Sequence, residues 1–339
     1  MSISKNGTST LAQVAEAAGV SRSTASRALN DSPRISKATK ARIRKIAREY
    51  NYVPNALGRA LASGRSQTMA ILITEPLSEL FEDPTYSAYM DGIAQELSES
   101  SYLPVLLQAA TEHERTRVLG HLERRGVDAV INLSPYEGSE VLEALRDLGL
   151  PTVLCGQLEG HPYRDCFSTV YSDDVEGAEL AARALVERRR TNVVCIMGPK
   201  DNPAVIDRLR GYRNVLGARI SSDRIIYADG WSSDGGFFAA QQLLAQGTSC
   251  DAVLAGSDRI AVGVLKAFSQ AEIDVPGDVS VIGFDDHAVA AAATPPLTTV
   301  RQPLSDEGAL AAATALKMID GAEPETIVMH MELVRRASL

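Results

Sequence analysis

Cysteine is scarce in this chain of 339 residues, and the four that occur are scattered. Cys155, Cys166, Cys195 and Cys250 form no C-x-x-C pair, and no histidine lies at metal-ligand spacing from them. Disulfide frameworks, zinc sites and dithiol redox centres are built from such clusters. The sequence therefore predicts buried or partly buried free thiols, and neither a metal nor another cofactor.

Long apolar runs are also missing from the chain. No segment approaches the roughly 18 consecutive apolar residues of a membrane span. The N-terminal MSISKNGTST lacks the apolar stretch of a signal peptide. We therefore expect a cytoplasmic protein with no membrane partner.

The sequence contains none of the short motifs that mark common enzyme active sites. A G-x-G-x-x-G fingerprint, a Walker loop, a G-x-S-x-G elbow and an H-E-x-x-H pair are all absent. Asp173 with Asp174 and Asp285 with Asp286 are adjacent pairs whose side chains diverge, so they do not form an acid and base couple. The five histidines are scattered. We therefore expect that the protein is not an enzyme.

Charge is distributed very unevenly along the chain. The whole sequence carries 34 basic and 43 acidic residues, yet residues 1–65 hold 12 basic and only three acidic side chains. This segment is at +9 and the remainder at -18. A basic segment can release the counterions of nucleic-acid phosphates, whereas an acidic remainder is repelled by them. The asymmetry favours nucleic-acid binding over the alternative that a basic face merely keeps the chain soluble.

Three helices are predicted in the basic segment. Thr10 and Gln13 have the spacing of a capping box at the start of an amphipathic helix over 11–18. Gly19 supplies a tight turn, and Ser21 is suited to cap a second helix. A third helix begins near position 36 and carries an apolar stripe on one face. The spacing of the first two helices predicts a helix-turn-helix.

Two stretches of this segment form a specific pattern. They are TLAQVAEAAGVSRSTASRALN and ISKATKARIRKIAREYNYVPNALGRALASGRS, which contain A-x-x-A-G-V-S-x-x-T-x-S-R and later N-Y-x-P-N. With them the first 65 residues closely resemble the DNA-binding headpiece of the lactose-repressor (LacI/GalR) family. The resemblance implies a transcription regulator, acting as a repressor, whose second helix lies in the major groove.

The resemblance also assigns DNA-contacting roles by position. Arg22, Ser23 and Arg27 would face base edges, and Arg27 suits bidentate recognition of guanine. Other side chains would contact phosphates and set the register on DNA; they are Thr24, Ser26, Asn30, Ser36, Thr39 and Asn55. The expected DNA-binding set further includes Thr10, Ser21 and Arg59. The alternative for the serines and threonines is simple helix capping and solvation.

Residues 54–65 are expected to form a hinge helix and linker after a headpiece over 1–53. Pro54 stands at a helix start, and the eight residues that follow it are too few for an isolated helix to persist in water. The resemblance implies that the hinge helix forms on DNA and pairs with its mate in a homodimer. It also implies that Leu61 enters the minor groove of a near-palindromic operator. The alternative for Leu61 is ordinary hinge packing.

Residues 66–339 alternate short apolar runs with amphipathic stretches, which predicts a doubly wound α/β fold. Two successive sets of similar size predict two lobes with a crevice at the carboxyl ends of their strands, where ligands usually bind. The first lobe is expected to comprise about 66–168 and 300–325. The second is expected to comprise about 169–297 and a C-terminal strand.

Four motifs follow one another in this half of the chain. They are R-L-R-G-Y at 208–212, G-S-D at 256–258, VPGDVSVIGFDD at 275–286 and PPLTTVRQP at 295–303. With them residues 66–335 resemble the effector-binding core of the same family, which is itself similar to periplasmic sugar-binding proteins. The implied fold is a two-lobed, periplasmic-binding-protein-like α/β core after an all-α headpiece.

The resemblance places the effector pocket by position. Its expected residues are Phe81, Asp83, Arg208, Trp231, Ser257, Asp285 and Gln302. Such a set suits a sugar, because hydroxyls need donors and acceptors and a sugar face stacks on an aromatic ring. Alternatively, Arg208 could pair with a surface acid, Asp285 could cap the following helix, and Trp231 could be a core residue. The segment around Phe81 and Asp83 could equally be a solvated loop.

Three positions of the expected pocket depart from the resembled family. Ser257 stands where the family more often has Asn, Ala204 where it often has Ser or Thr, and Gly156 where several members have Asp. Each change removes a polar partner, which favours a less hydroxylated or larger ligand. A freestanding solute-binding protein would also fit residues 66–339. It would not explain the missing export signal or the basic headpiece.

Overall fold

A computed structural model describes residues 9–53, 64–133, 140–156, 163 and 165–339. The chain divides into two compact units, one ending at Gln67 and one spanning Thr68–Leu339. In the part of the chain that is described, no helix is both long and apolar enough to cross a bilayer.

The N-terminal unit contains three short helices: α1 (Leu11–Ala17), α2 (Arg22–Leu29) and α3 (Lys37–Glu49). The predicted capping box is present, because Thr10 accepts from the Gln13 amide while the Gln13 side chain accepts from the Thr10 amide. Gly19 adopts a φ of +62°, which a turn between α1 and α2 requires and which glycine adopts without strain. The helices enclose a small core that includes Val14, Ala25 and Ile43. The predicted helix-turn-helix is confirmed.

The larger unit has two six-stranded sheets. The strands of the first are β1 (Thr68–Ile73), β2 (Leu103–Gln108), β3 (Ala129–Asn132), β4 (Thr152–Cys155), β5 (Ser168–Ser172) and β11 (Thr326–Met329). The strands of the second are β6 (Val193–Met197), β7 (Ile225–Tyr227), β8 (Ala252–Ala255), β9 (Ser280–Asp285), β10 (Thr298–Arg301) and β12 (Glu332–Val334). Their orders are β11-β5-β4-β3-β1-β2 and β12-β10-β9-β8-β6-β7. All neighbours are parallel except β10 and β12.

Helices cover both faces of each sheet. Those of the first lobe are α4 (Leu77–Glu82), α5 (Pro84–Leu97), α6 (Glu112–Glu123), α7 (Glu140–Leu148) and α13 (Leu304–Ile319). Those of the second are α8 (Asp174–Glu187), α9 (Pro203–Leu216), α10 (Ser233–Ala245), α11 (Asp258–Gln270) and α12 (Ala288–Ala292). Successive side chains of a strand enter opposite cores: Ile71 packs with Ile93, whereas Leu72 packs with Leu122. Burial on both faces explains why central strands such as β1, β3, β6 and β8 are nearly continuous apolar runs.

Helices α5 and α13 approach each other unusually closely in the first lobe. A Cβ atom at Gly92 would lie 1.8 Å from the Ser305 carbonyl oxygen, and one at Gly308 would lie 2.3 Å from the Tyr89 carbonyl oxygen. Only glycine fits at these two contacts. The close packing fixes the first turns of α13 against α5.

The predicted lobe boundaries were wrong in two places. Strand β5, expected in the second lobe, pairs with β4 and β11 and therefore belongs to the first. Strand β10, whose Val300 and Arg301 were expected in the first lobe, pairs with β9 and β12 in the second. The chain thus crosses between lobes after β5, after β10 and after β11. Apolar runs predict strands, but they do not tell which sheet a strand joins.

A buried carboxyl lies where two of these crossings meet. Glu307, in the first turn of α13, accepts a 2.6 Å hydrogen bond from the Tyr89 hydroxyl and a 2.7 Å bond from the Ser172 hydroxyl. Burial raises the pKa of Glu307 to about 7, although both hydrogen bonds oppose this shift. The other titratable groups that act on it are Asp174 and Cys155. Burial thus favours the neutral form of this carboxyl, whereas the two donated hydrogen bonds favour the carboxylate.

We predict that Glu307 makes the stability of the protein depend on pH near neutrality. Its folded pKa of about 7 lies above the ordinary 4.5, so its contribution to stability is complete below about pH 4.5 and is lost as the pH rises through about 7. The contribution is about 3 kcal/mol. Urea unfolding between about pH 5 and pH 8 should show a steeper loss of stability in the wild type than in Glu307→Gln. Equal pH profiles, with exposed Glu123→Gln as the control, would contradict the assignment.

Candidate DNA-binding face and effector cavity

Helix α2 has one buried and one exposed face. Ala25 and Ala28 are fully buried against the other helices. The side chains predicted to face base edges, Arg22, Ser23 and Arg27, are exposed. A helix supported from behind, with two arginines on its open face, has the form that enters a major groove. Their contacts with bases stay a prediction.

Three predicted DNA-contacting residues serve as helix caps. The side chain of Thr10 caps α1, the Ser21 Oγ accepts from the Thr24 amide at 3.1 Å, and the Ser36 Oγ accepts from the Thr39 amide at 3.2 Å. The capping alternative is therefore realised for all three. Phosphate contacts of these groups stay predictions, as do those of Thr24, Ser26, Thr39 and Asn30, which directly follows α2. Asn55, Arg59 and Leu61 lie outside the described residues.

Asp31 holds two of the basic side chains of α3. Its Oδ1 atom lies 2.9 Å from Lys40 Nζ and 2.9 Å from Arg44 Nη2. The hydrogen bond from Lys40 and the two positive charges keep the pKa of Asp31 below its ordinary value. Asp31 therefore partly neutralises the positive charge of α3 around Lys40 and Arg44.

A cavity of about 410 Å³ lies at the carboxyl ends of strands from both sheets of the larger unit. Six of the predicted effector residues line it: Asp83, Arg208, Trp231, Ser257, Asp285 and Gln302. Phe81 does not, which corrects the prediction for that residue. Its side chain is 82% exposed, because Phe81 points outward from the short helix α4. Gly156 and Ala204, two of the positions that differ from the resembled family, also line the cavity.

Arg208 is the centre of the cavity's hydrogen-bond network. It is 4% exposed, and its Nε donates to Asp174 Oδ1 at 2.7 Å while its Nη1 donates to the Gly256 carbonyl oxygen. Its Nη2 lies 3.8 Å from Asp285 Oδ1, and its guanidinium lies 3.7 Å from the centroid of the Phe284 ring. The alternative pairing with a surface acid is wrong, because both acidic partners are cavity residues. Burial raises the pKa of Asp174, and Arg208 opposes this shift.

Asp285 stands at the end of β9 with a φ of +111°. It accepts a 2.6 Å hydrogen bond from Gln302 Nε2, and its other carboxylate oxygen lies 3.7 Å from His287 Nδ1. Helix α12 begins after His287 and has no side-chain cap, so the alternative that Asp285 caps this helix is wrong. Burial raises the pKa of Asp285, while His287 and Arg208 oppose the shift. Gln302 and Arg208 thus both approach the Oδ1 atom of Asp285, which lines the cavity.

Ser257 and Trp231 combine structural and cavity roles. The Ser257 hydroxyl caps α11 by accepting from the Ile260 amide at 3.2 Å. The Trp231 ring packs on Gly198, where a Cβ atom would lie 2.8 Å from it, and it contacts both cores of the second lobe. The core alternative for Trp231 is therefore correct in part. Its remaining surface lines the cavity.

Asp83 links the two lobes across the cavity. Its Oδ2 lies 3.0 Å from Arg259 Nη1 of α11, and its Oδ1 accepts from the Thr85 amide at 2.9 Å, which caps α5. The Thr85 hydroxyl lies 3.3 Å from His287 Nε2 of the second lobe. The Asp83 and Arg259 side chains are only 15% and 12% exposed. Asp83 therefore bridges the lobes and is not simply a solvated loop residue.

Several lining residues were not predicted from the sequence. They are Glu75, Tyr86, Tyr89, Asp174, Asn202, Asp207 and Asp229, together with apolar neighbours. Glu75 and Asp229 follow the carboxyl ends of β1 and β7, so the rule that ligands bind at strand ends could have indicated them. Nothing in the local sequence indicates Tyr89, because its position depends on the contact between α5 and α13.

Comparisons with known proteins agree with this architecture. Residues 10–55 match the family described as bacterial regulatory proteins, lacI family, and residues 182–339 match a periplasmic binding protein-like domain. The chain is 34% identical over 334 residues to the HTH-type transcriptional regulator CelR of Thermobifida fusca, covering 97% of this chain and 98% of that protein. It is 34% identical over 306 residues to the ribose operon repressor of Escherichia coli K12, covering 89% and 90% of the two chains.

Two solved structures extend the comparison. The transcriptional regulator CelR–cellobiose complex has a TM-score of 0.77 at 33% identity, covering 98% of this chain and 100% of that one. The lac repressor dimer bound to operator and the anti-inducer ONPF has a TM-score of 0.85 at 22% identity, covering 98% and 99%. At that identity the second likeness concerns the fold alone. Both support the predicted headpiece and two-lobed core.

We predict that the Asp83–Arg259 ion pair stabilises the contact between the lobes. Asp83→Asn keeps the cap of α5 but removes the charge, and Arg259→Gln removes the cation. Because the pair is mostly buried, a double-mutant cycle of urea unfolding should give a coupling of about 1–3 kcal/mol. The more exposed pair Arg183 and Glu179, 2.9 Å apart with side chains 61% and 27% exposed, is the control and should couple by no more than about 0.5 kcal/mol. Additive effects at Asp83 and Arg259 would contradict this role.

Proposed function

The chain belongs to the lacI family of bacterial regulatory proteins and is a DNA-binding transcriptional regulator, and we propose that it acts as a homodimeric repressor controlled by a carbohydrate. The effector occupies the cavity between the two lobes of the core. One observation supports this proposal above all: Arg208, Asp285, Gln302 and Trp231, predicted from distant segments of the sequence, line one cavity.

The DNA-binding part of the proposal rests on the headpiece. Arg22, Ser23 and Arg27 occupy the exposed face of a helix whose opposite face is packed in a core. The +9 charge of the first 65 residues supplies attraction to phosphates, which positions the helix but carries no sequence information. Two headpieces of a homodimer would read the two half-sites of a near-palindromic operator.

The effector part rests on the chemistry of the cavity. Carboxylates accept hydrogen bonds from hydroxyls, the Arg208 and Gln302 side chains donate them, and the half-buried Trp231 offers an apolar ring. A polyhydroxylated ring can use all three. The relatives support this class of ligand, since one is described in complex with cellobiose and another is named for the ribose operon.

The two lobes provide a means of control. Asp83 and Thr85 belong to the first lobe, whereas Arg208, Trp231 and Asp285 belong to the second. A ligand that contacts groups of both lobes favours the arrangement in which the lobes are close together. It can shift the protein between arrangements only by the difference in its affinity for them. Operator affinity would follow that shift.

We predict that Arg27→Ala weakens operator binding by about 1–3 kcal/mol and relaxes the preference for one base in each half-site, because a bidentate contact with guanine is lost. Selection of bound sequences from a random pool, followed by titration, measures both effects. Arg42→Ala on α3 is the control and should weaken all sequences alike while lowering the salt dependence. If Arg27→Ala also weakens all sequences uniformly, Arg27 does not read bases.

We predict that cellobiose or D-ribose raises the melting temperature of the wild type and that Asp285→Asn loses this response. The variant keeps the shape of Asp285 but removes a charged acceptor, which should weaken sugar binding at least tenfold. Its operator affinity without sugar should be nearly unchanged. Thermal unfolding with each sugar tests this, with Glu123→Gln as a control. A full response in Asp285→Asn would contradict the pocket assignment.

A further inference from the structure

Acidic side chains outnumber basic ones among the described residues that line the cavity. Six of its described lining residues are acidic: Glu75, Asp83, Asp174, Asp207, Asp229 and Asp285. Among the same described residues Arg208 is the one lining cation. A ligand that enters the cavity therefore meets acceptors and negative charge on several sides.

The arginines in and around the cavity are already engaged by acids. Arg208 donates to Asp174 at 2.7 Å and lies 3.8 Å from Asp285. At the edge, Arg259 lies 3.0 Å from Asp83, and Arg210 lies 2.9 Å from Asp207. A phosphate usually needs a guanidinium fork or several N–H donors that are not shared with a carboxylate. An anionic ligand would here compete with a protein carboxylate for each of these cations.

From this arrangement we propose that the effector is an uncharged carbohydrate and that the cavity rejects phosphorylated and acidic sugars. The inference rests on the proposed function and narrows its ligand class. A neutral sugar donates its hydroxyl protons to the carboxylates and accepts from Arg208 and Gln302, so no existing ion pair is broken. A phosphate would place like charges close together in a poorly solvated site, which is strongly unfavourable.

The buried acids Asp174 and Asp285 also favour an uncharged ligand. Burial raises the pKa of both Asp174 and Asp285 despite the nearby Arg208. Burial thus already destabilises the ionised carboxylates at this end of the cavity before any ligand binds. A further anion would increase that cost.

The charge of the cavity can be measured without any sugar. Trp231 is the only tryptophan of the chain and lines the cavity, so its fluorescence reports on solutes that enter. Quenching by iodide, caesium and neutral acrylamide is compared at constant ionic strength and normalised to free N-acetyltryptophanamide. One unit charge about 7 Å from the quencher changes its local concentration about threefold in water. The one lining cation among the described residues, Arg208, lies 5.6 Å from the centroid of the Trp231 ring, but six lining carboxylates outnumber it. Iodide should therefore quench Trp231 at least threefold less than caesium.

Matched variants assign the effect to the cavity. Asp229→Asn removes a lining carboxylate and should raise the iodide-to-caesium ratio. Glu123→Gln removes the same charge from an exposed position on α6 and should leave the ratio unchanged. Iodide quenching equal to or above that of caesium in the wild type would overturn the proposal whether or not a sugar is found.

The second arm compares neutral and phosphorylated sugars. Cellobiose against cellobiose 6-phosphate and D-ribose against D-ribose 5-phosphate are titrated into the protein, with Trp231 fluorescence as the readout. In whichever pair binds, the neutral sugar should bind at least tenfold more tightly than its phosphorylated form. Tighter binding of a phosphorylated member would overturn the charge inference but leave the proposed function intact. Absence of any sugar response would count against the proposed function, and the quenching ratio would still decide the charge inference.

Discussion

The buried guanidinium of Arg208 is the interaction on which the cavity depends. A charge that is 4% exposed persists only if it is paired, and Arg208 is paired with Asp174 of α8, with Asp285 of β9 and with the Gly256 carbonyl after β8. These groups come from three separate segments of the chain. The need to neutralise one cation therefore fixes the position of two acidic cavity residues. Gln302 then holds the second of them from the crossing after β10.

The same constraint connects the cavity to the crossings between lobes. Asp174 is the first residue of α8, directly after the crossing that follows β5, and Ser172 on the other side of this crossing bonds to Glu307. Glu307 in turn fixes Tyr89, which lines the cavity. A ligand that changes the contacts of Arg208 or Tyr89 therefore acts on residues beside the segments that link the lobes. If the cavity binds the effector as proposed, these contacts would connect its occupancy with the arrangement of the core.

Much of the fold followed from the sequence, and the remainder depended on long-range contacts. Capping residues and helical spacing predicted all three headpiece helices, because these signals are local. Apolar runs predicted strands, but the sheets of β5 and β10 were misassigned, since pairing partners are far apart in sequence. Arg208, Trp231, Asp285 and Gln302 could be placed through resemblance. Tyr89 and Glu307 could not, because their positions are set by the packing of α13 on α5 and β5.

Charge separation along the chain gives the two units different preferences for anions. The headpiece segment at +9 attracts phosphates, while the remainder at -18 repels them, and the cavity continues this negative character with six lining carboxylates. If the core were basic, it would bind DNA without regard to sequence and reduce the share of affinity that depends on α2. The negative charge of the core therefore has two effects. It disfavours DNA contact outside the headpiece, and under the proposed function its cavity carboxylates would offer hydrogen-bond acceptors that suit neutral hydroxyls and disfavour phosphates.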